Sequence, residues 1–174
     1  GTFRSMPEFE DVAGFPRPCD HLKRFAIRHW AGHMFTALDP AFSLDGVVQA
    51  MEERVGFLPF GEFKHDAQRD RTFEVAGHWA LYCDNFLEGF HIPFVHPDLN
   101  AAVDYDQYTT VLFDHGNLQI AHARGEVDVF DLPEGHPEYG QRIAAFYFWV
   151  FPNMMFNFYP WGLSVNLVEP LAKD

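Results

Sequence analysis

The run DNFLEGFHIPFVHP, Asp84 to Pro97, sets an amide, a carboxylate and two imidazoles at short intervals: Asn85, Glu88, His91 and His96. Neutral imidazole nitrogens and carboxylate oxygens bind Fe(II), Zn(II) and other first-row ions, so metal binding is the chemistry these residue types suggest. Spacing decides whether they can meet. At about 100° per residue, Asn85, Glu88 and His91 form one slightly drifting stripe on a helix, whereas His96 would stand about 140° round from His91. The helix must therefore end between the two histidines. Pro93 and Pro97 predict that break, because each disfavours a helical conformation at the residue before it. His91 then closes the helix and His96 swings back from the loop. Two imidazoles so placed take adjacent coordination positions and leave others for a carboxylate and for exogenous ligands, as in the iron site built from two histidines and one carboxylate. A plainer reading has both histidines capping a helix C-terminus, where the dipole favours positive charge, with Glu88 a solvated acid. The sequence holds ten histidines in 174 residues, so H-x4-H alone argues little. His29, His33 and His78 read as strand or loop residues, and His65, His115, His122 and His136 as solvent-facing.

The elements around the run must hold it. Residues 1 to 22, rich in Pro, acids and scattered aromatics, read as an irregular covering arm. FAIRHWAGHMFTALDP, Phe25 to Pro40, predicts a hairpin turning at Ala31-Gly32. SLDGVVQAMEERVG predicts a short amphipathic helix, with Ser43 as N-cap, Val47, Val48, Met51 and Val55 on its apolar face, and Gly56 as its stop. TFEVAGHWALYC predicts a strand over Thr72 to Ala76, then a second helix from about Trp79 that carries the quoted run. Downstream, QYTTVLF, LQIAHARG, AAFYFWVFPNMMFNFYP and LSVNLVEP predict at least four strands, broken at Asp114-His115-Gly116, Pro152-Asn153 and Pro160-Trp161-Gly162. DVFDLPEGHPEYGQR is a long loop. Strands outnumber helices, which gives an α+β domain, an antiparallel sheet with helices laid against one face.

Composition narrows the function classes. Hydrophobic residues make up 48% of the chain and Phe alone contributes 20, a surplus that needs a core or an apolar cavity. Lys plus Arg total 12 against 25 Asp plus Glu, a formal charge of -13, so nucleic acid and anionic membrane are poor partners. Cys19 and Cys83 form no CxxC or Cys/His cluster, and no apolar run approaches a membrane span or signal peptide, which makes a cytoplasmic location the expectation. One compact domain suits the length. The chain starts without Met and stops after a strand-like run, which reads as a fragment.

HWALYCDNFLEGFHIPFVHPDL resembles the iron-binding segment of the α subunit of Rieske-type ring-hydroxylating oxygenases. Trp79, Asn85, Phe86, Glu88, Phe90, His91 and His96 carry the match. The resemblance extends over essentially the whole chain: GTFRSMPEFEDVAGFP is similar to the segment that follows the Rieske domain, and WVFPNMMFNFYPWGLSVNLVEPL to the family's central strands. Glu88 and the FPN and NFYP runs look closer to the choline-monooxygenase-like branch than to naphthalene-type dioxygenases. The resemblance implies a helix-grip fold, a twisted antiparallel sheet around a long C-terminal helix that lies beyond this chain. Residues 1–22 would be the arm after an absent Rieske domain, and 23–174 a partial catalytic domain.

Carried over, the resemblance implies that His91 and His96 bind mononuclear Fe(II). Glu88 matches the acid that relays electrons from a neighbouring subunit's Rieske cluster, and Asn85 a position near the iron. In an intact member, electrons from a reductase pass through the Rieske domain, O2 is activated at the iron, and an aromatic or other small organic substrate is hydroxylated; a homo-oligomer is compatible. Two departures stand out. The sequence lacks the Cys-x-His and Cys-x2-His pair, so no Fe–S cluster is expected in this chain. The family's third iron ligand, an Asp on the C-terminal helix, is expected to be missing.

The aromatic strands Phe146 to Tyr159 alternate, so one set faces inward. Phe148, Met154, Phe156 and Phe158, with Phe94 at the rim, are the candidate substrate-pocket residues, against the simpler expectation that each Phe is core. Trp161 either closes the cavity or lies on the surface. Two other functions compete with the oxygenase: a helix-grip module holding an apolar ligand without chemistry, and a zinc hydrolase using His91, His96 and Glu88 or Asp98. No HExxH or third His supports the latter.

Overall fold

The first hairpin turns on Ala31 and Gly32, whose φ values of 47° and 78° are the two positive angles of the tight turn that matches strand twist. Gly adopts its angle without cost. In the computed structural model, which describes residues 1–172, that turn joins β1 (Ile27–Trp30) to β2 (His33–Thr36). The hairpin belongs to the first of two compact units, Gly1–Phe42, the second being Ser43–Asp174. Ahead of it the chain is largely irregular, and Phe3 and Phe9 pack edge-on against Phe15 at 4.7 and 5.0 Å.

The second unit opens with α1 (Asp45–Val55), which buries Val47, Val48, Met51 and Val55, the spacing read from the sequence. Ser43 does not form an N-cap bond of the expected kind: its Oγ accepts from the Asp45 amide two residues on, at 3.2 Å. Thr72 to Ala76 is not a strand. Among the described residues no strand pairs with it, and Phe73 and Val75 lie exposed. β-propensity without a ladder partner is not enough.

Five strands follow: β3 (Thr109–Phe113), β4 (Gly116–His122), β5 (Ile143–Val150), β6 (Met154–Tyr159) and β7 (Gly162–Leu167). They pair antiparallel in sequence order, and the connections fall where the sequence placed its breaks. Register sets two faces. Ile120, Phe146 and Phe158 align across the sheet, as do Leu118, Phe148 and Phe156. This face is covered by α1, by the segment just after it and by the long loop after β4: Phe130 and His136 of the loop lie on Phe146 at 5.2 and 5.9 Å, and Phe60 of the segment on Phe158 at 6.0 Å. Each buried Phe contributes about 1.5–3 kcal/mol of transfer free energy.

His136 does not face solvent. Its side chain is 4% exposed; Nε2–H donates to the Arg54 carbonyl at 2.8 Å and Nδ1 accepts from the Glu138 amide at 3.1 Å. One donating and one accepting nitrogen is the pattern of a neutral imidazole. With the Arg54–Glu138 ion pair at 3.2 Å, it ties the loop to the end of α1.

The opposite face carries Asn117, Gln119 and Ala121 on β4, Ala145 and Tyr147 on β5, and Asn157 and Tyr159 on β6. Phe86, Leu99 and Tyr108 pack against its small apolar cluster. The run holding the two histidines lies on this side. No described helix is long and apolar enough to cross a membrane.

Candidate metal centre

Residues 79–102 form three short helices rather than one long one: α2 (Trp79–Phe86), α3 (Ile92–Val95) and α4 (Pro97–Ala102). His78 caps α2, its Nδ1 accepting from the Ala80 amide at 3.2 Å. The helix stops at Phe86, where Leu87 N–H is shared between the Cys83 and Asp84 carbonyls at 3.0 and 3.2 Å. The expected stripe of Asn85, Glu88 and His91 on one helix is therefore broken. Asn85 stays on the last turn of α2 and is exposed, Glu88 lies in the link, and His91 is the N-cap of α3.

The prolines act in the reverse sense to the one expected. Pro93 sits in the first turn of α3 and Pro97 opens α4. A proline there loses nothing, since the first helical N–H groups have no acceptor within the helix. Both residues start helices, and each histidine occupies the junction just before one. The separation of His91 from His96 survives by this different route.

The two imidazole rings stand 5.0 Å apart between centroids, at 75° to one another. His91 Nδ1 lies 2.6 Å from Glu88 Oε1, and Glu88's other oxygen accepts from the Phe90 amide. A carboxylate only accepts, so His91 carries a proton on Nδ1, which in the neutral ring leaves Nε2 as the nitrogen able to bind a metal. This is the carboxylate–histidine pairing that orients metal-binding imidazoles. His91 is 19% exposed and Glu88 30% at the side chain, while His96 and Asp98 are exposed. Among the described residues no cluster of three or more His, Cys, Asp or Glu is arranged to hold a metal ion. The donor set here thus fits two of the three ligands of an iron site, with Glu88 turned to His91 as its orienting partner.

Beneath the link a cavity of about 410 Å³ is lined by Leu87, Glu88, Gly89, Phe90, Tyr105, Tyr108 and Thr110. Burial, then the nearby charges of Glu88 and Tyr159, push the Tyr108 hydroxyl well above the usual tyrosine range. It remains a neutral donor, giving its proton to Gln119 Oε1 at 2.9 Å. Gln119 Nε2 donates to the Phe86 carbonyl at 2.5 Å and Asn117 Nδ2 to the Leu87 carbonyl at 3.2 Å. Sequence reasoning missed Tyr108, Gln119 and Asn117. The available signal was a polar residue at alternate positions of GNLQIA, in a strand otherwise apolar.

A second recess, about 420 Å³, opens between α4 and the sheet, with Tyr147, Tyr159 and Trp161 on its walls and Glu126 and Asp128 at its border. Trp161 is 65% exposed and lies flat on Tyr159, 4.7 Å between centroids and 4° between planes. Burial raises the Tyr147 and Tyr159 hydroxyls above their ordinary range.

The aromatic residues expected to line a pocket are elsewhere. Phe148, Phe156 and Phe158 are fully buried on the α1 face of the sheet, and half-buried Met154 is aligned with Val150 on that side. Strand alternation turns them from the histidines, and their neighbours make them core. Phe94 is 87% exposed on α3.

The sequence model of the ring hydroxylating alpha subunit (catalytic domain) family matches residues 60–174. The chain is 33% identical over 104 residues to choline monooxygenase, chloroplastic, of Arabidopsis thaliana, covering 59% of this chain and 23% of that protein. It is 24% identical over 177 residues to the carnitine monooxygenase oxygenase subunit of Acinetobacter baumannii, covering 91% and 44%. The chain thus spans less than half the length of these relatives. Among solved structures, a quaternary ammonium Rieske monooxygenase described in carnitine oxidation superposes with a TM-score of 0.61 at 22% identity, over 87% of this chain and 43% of that one. The quaternary ammonium Rieske monooxygenase CntA in complex with substrate L-carnitine gives 0.60 at 19% identity, over 94% and 42%. That likeness extends the shared fold over the mixed helix and antiparallel sheet described above. With its family match covering the α2 to α4 histidines and the five-stranded sheet, the chain belongs to the ring-hydroxylating α-subunit catalytic domain family.

Proposed function

We propose that this chain holds a mononuclear Fe(II) through His91 Nε2 and His96, as part of an oxygenase that hydroxylates a small organic substrate. The observation that carries the reading is the 2.6 Å contact of Glu88 with His91 Nδ1, beside a second imidazole 5.0 Å away. A bound Fe(II) supplies the reductive activation of O2 that organic side chains cannot perform. The chain's own residues do the rest. Glu88 keeps the His91 proton on Nδ1 and fixes the ring plane; Asn85 enters the reading only as a position that the family motif puts near the iron. A carboxylate completes the ligand set, and electrons reach the site from a Rieske domain and a reductase. A cytoplasmic location and a homo-oligomeric assembly belong to the same proposal; the plant relatives' names place them in the chloroplast.

For the substrate, we infer a quaternary amine, as the names of the choline and carnitine monooxygenases suggest. The aromatic walls Tyr147, Tyr159 and Trp161, with Glu126 and Asp128 at the border, suit a cation that cannot donate hydrogen bonds. Choline should shift the amide resonances around Trp161, and its neutral isostere 3,3-dimethylbutanol should not; equal shifts would remove the charge-recognition part of the reading.

The metal reading is tested by anaerobic Fe(II) binding, followed as the iron–nitrosyl paramagnetic resonance signal. A signal near one iron per chain that disappears in His91→Ala supports it. A signal that persists in His91→Ala and in His96→Ala would sink it.

A further inference from the structure

A helix end leaves carbonyls without intrahelical donors, and in most helices water or a following turn satisfies them. At the end of α2 they are instead taken by two buried amides of β4. Gln119 is 2% exposed and Asn117 4% exposed, and they donate to the carbonyls of Phe86 and Leu87, the two residues directly before Glu88. The amides are two apart on one strand, so they share the sheet face turned to the histidines. Gln119 cannot turn over, because its oxygen accepts the Tyr108 hydroxyl at 2.9 Å, and an amide must point its nitrogen at a carbonyl and its oxygen at a hydroxyl donor. Tyr108 also lies under the link itself: a methyl group built on Gly89 would meet its ring at 3.0 and 3.2 Å. The backbone on either side of Glu88 is thereby fixed to the sheet.

We propose that Gln119 and Asn117 are positioning residues of the metal site, which hold the α2 terminus so that Glu88 reaches His91 Nδ1. This rests on the reading of His91 and His96 as metal ligands. The reaction places no substrate or metal on either amide; both act through the backbone before Glu88. Loss of a residue that orients a metal-binding histidine costs about 10–100-fold in metal affinity, and a comparable loss is expected here although the amides lie one step further out.

The test compares Gln119→Met and Asn117→Leu with Asn157→Leu, in the full chain. Asn157 is a buried amide on the same face whose Nδ2 donates to Ser164 and Asn166 on β7, so its variant controls for general destabilisation. Four quantities are read: thermal midpoint, Fe(II) affinity by the nitrosyl signal, and two reporters that need no metal. These are the downfield Nδ1–H proton resonance of His91 and the exchange rate of the Phe90 amide, which donates to Glu88. In the two β4 variants the His91 resonance should broaden or vanish, Phe90 should exchange at least 10-fold faster, and Fe(II) affinity should fall about 10-fold or more. Asn157→Leu should lower the midpoint and leave the reporters unchanged. If the β4 variants keep both reporters and bind Fe(II) within twofold of the parent chain, or if Asn157→Leu moves them equally, the proposal is overturned. A parent chain that binds no Fe(II) but shows the reporter changes would sink the metal reading and leave the positioning one standing. Should Gln119→Met fail to fold, Tyr108→Phe, which frees the Gln119 amide to rotate, must produce the same changes.

Discussion

At the residue scale, Glu88 is the side chain whose contacts the structure defines most narrowly. Both its oxygens are engaged, one by His91 Nδ1 and one by the Phe90 amide. Glu88→Ala is expected to weaken Fe(II) binding by about 10–100-fold, and Glu88→Gln by less, since its oxygen can still accept from Nδ1; competition with a chelator of known affinity measures both. Equal losses in the two variants would mean that the negative charge, not the hydrogen bond, is what matters. The types and order of Asn85, Glu88, His91 and His96 were legible from the sequence, and so was the family to which the run that holds them belongs. Their geometry was not. The expectation of one helix through His91 treated Glu88-Gly89 as helical because its period fitted, whereas tertiary bonds from β4 and the ring of Tyr108 hold that link out of the helix. Those partners lie some twenty to thirty residues downstream, beyond what local periodicity can report.

At the scale of elements, the link between α2 and α3 is packed too closely to grow. Gly89→Ala would place a methyl group 3.0 Å from the Tyr108 ring, an overpacking that typically costs about 1–3 kcal/mol; a urea titration should show the loss in midpoint, and Fe(II) binding should weaken with it. The long loop after β4 is held in part by one imidazole. His136→Ala removes a buried donor to the Arg54 carbonyl and the packing on Phe146, and about 2–3 kcal/mol of destabilisation is expected from the orphaned carbonyl and the cavity together. A stability unchanged within about 0.5 kcal/mol would show that the loop is held without His136, by Phe130, Leu132 and the Arg54–Glu138 pair. The strands were legible because turn residues bracket each of them, down to positive φ at His115 and Gly162. His136 was not, because PEGHPEYG reads as solvent-exposed turn and nothing local announces that α1 waits to accept its proton.

At the scale of the whole molecule, three of the six tyrosines share one buried region. Tyr108, Tyr147 and Tyr159 all have hydroxyls raised by burial above the ordinary value of 10.0. Above that value the unfolded chain releases these protons while the folded chain keeps them, so the unfolded state binds fewer protons and stability falls with rising pH. The stabilising contribution is fully present below pH 10 and is lost as pH climbs toward the raised folded values. Thermal midpoints should therefore be flat near neutrality and drop steeply above pH 10, with tyrosinate absorbance appearing in two stages, the second coincident with unfolding. A single smooth titration of all the tyrosines on a folded chain would contradict the burial. The stacked pair at the mouth of the second recess has an optical consequence. Trp30 is buried and Trp79 and Trp149 are half-buried, so Trp161 is the tryptophan most open to solvent. Its emission should be red-shifted, fed by energy transfer from Tyr159 across 4.7 Å, and quenched first by acrylamide. Anything that settles in the recess shields that indole, which gives the protein an intrinsic fluorescent gauge of occupancy that needs neither label nor turnover and that Trp161→Phe would switch off.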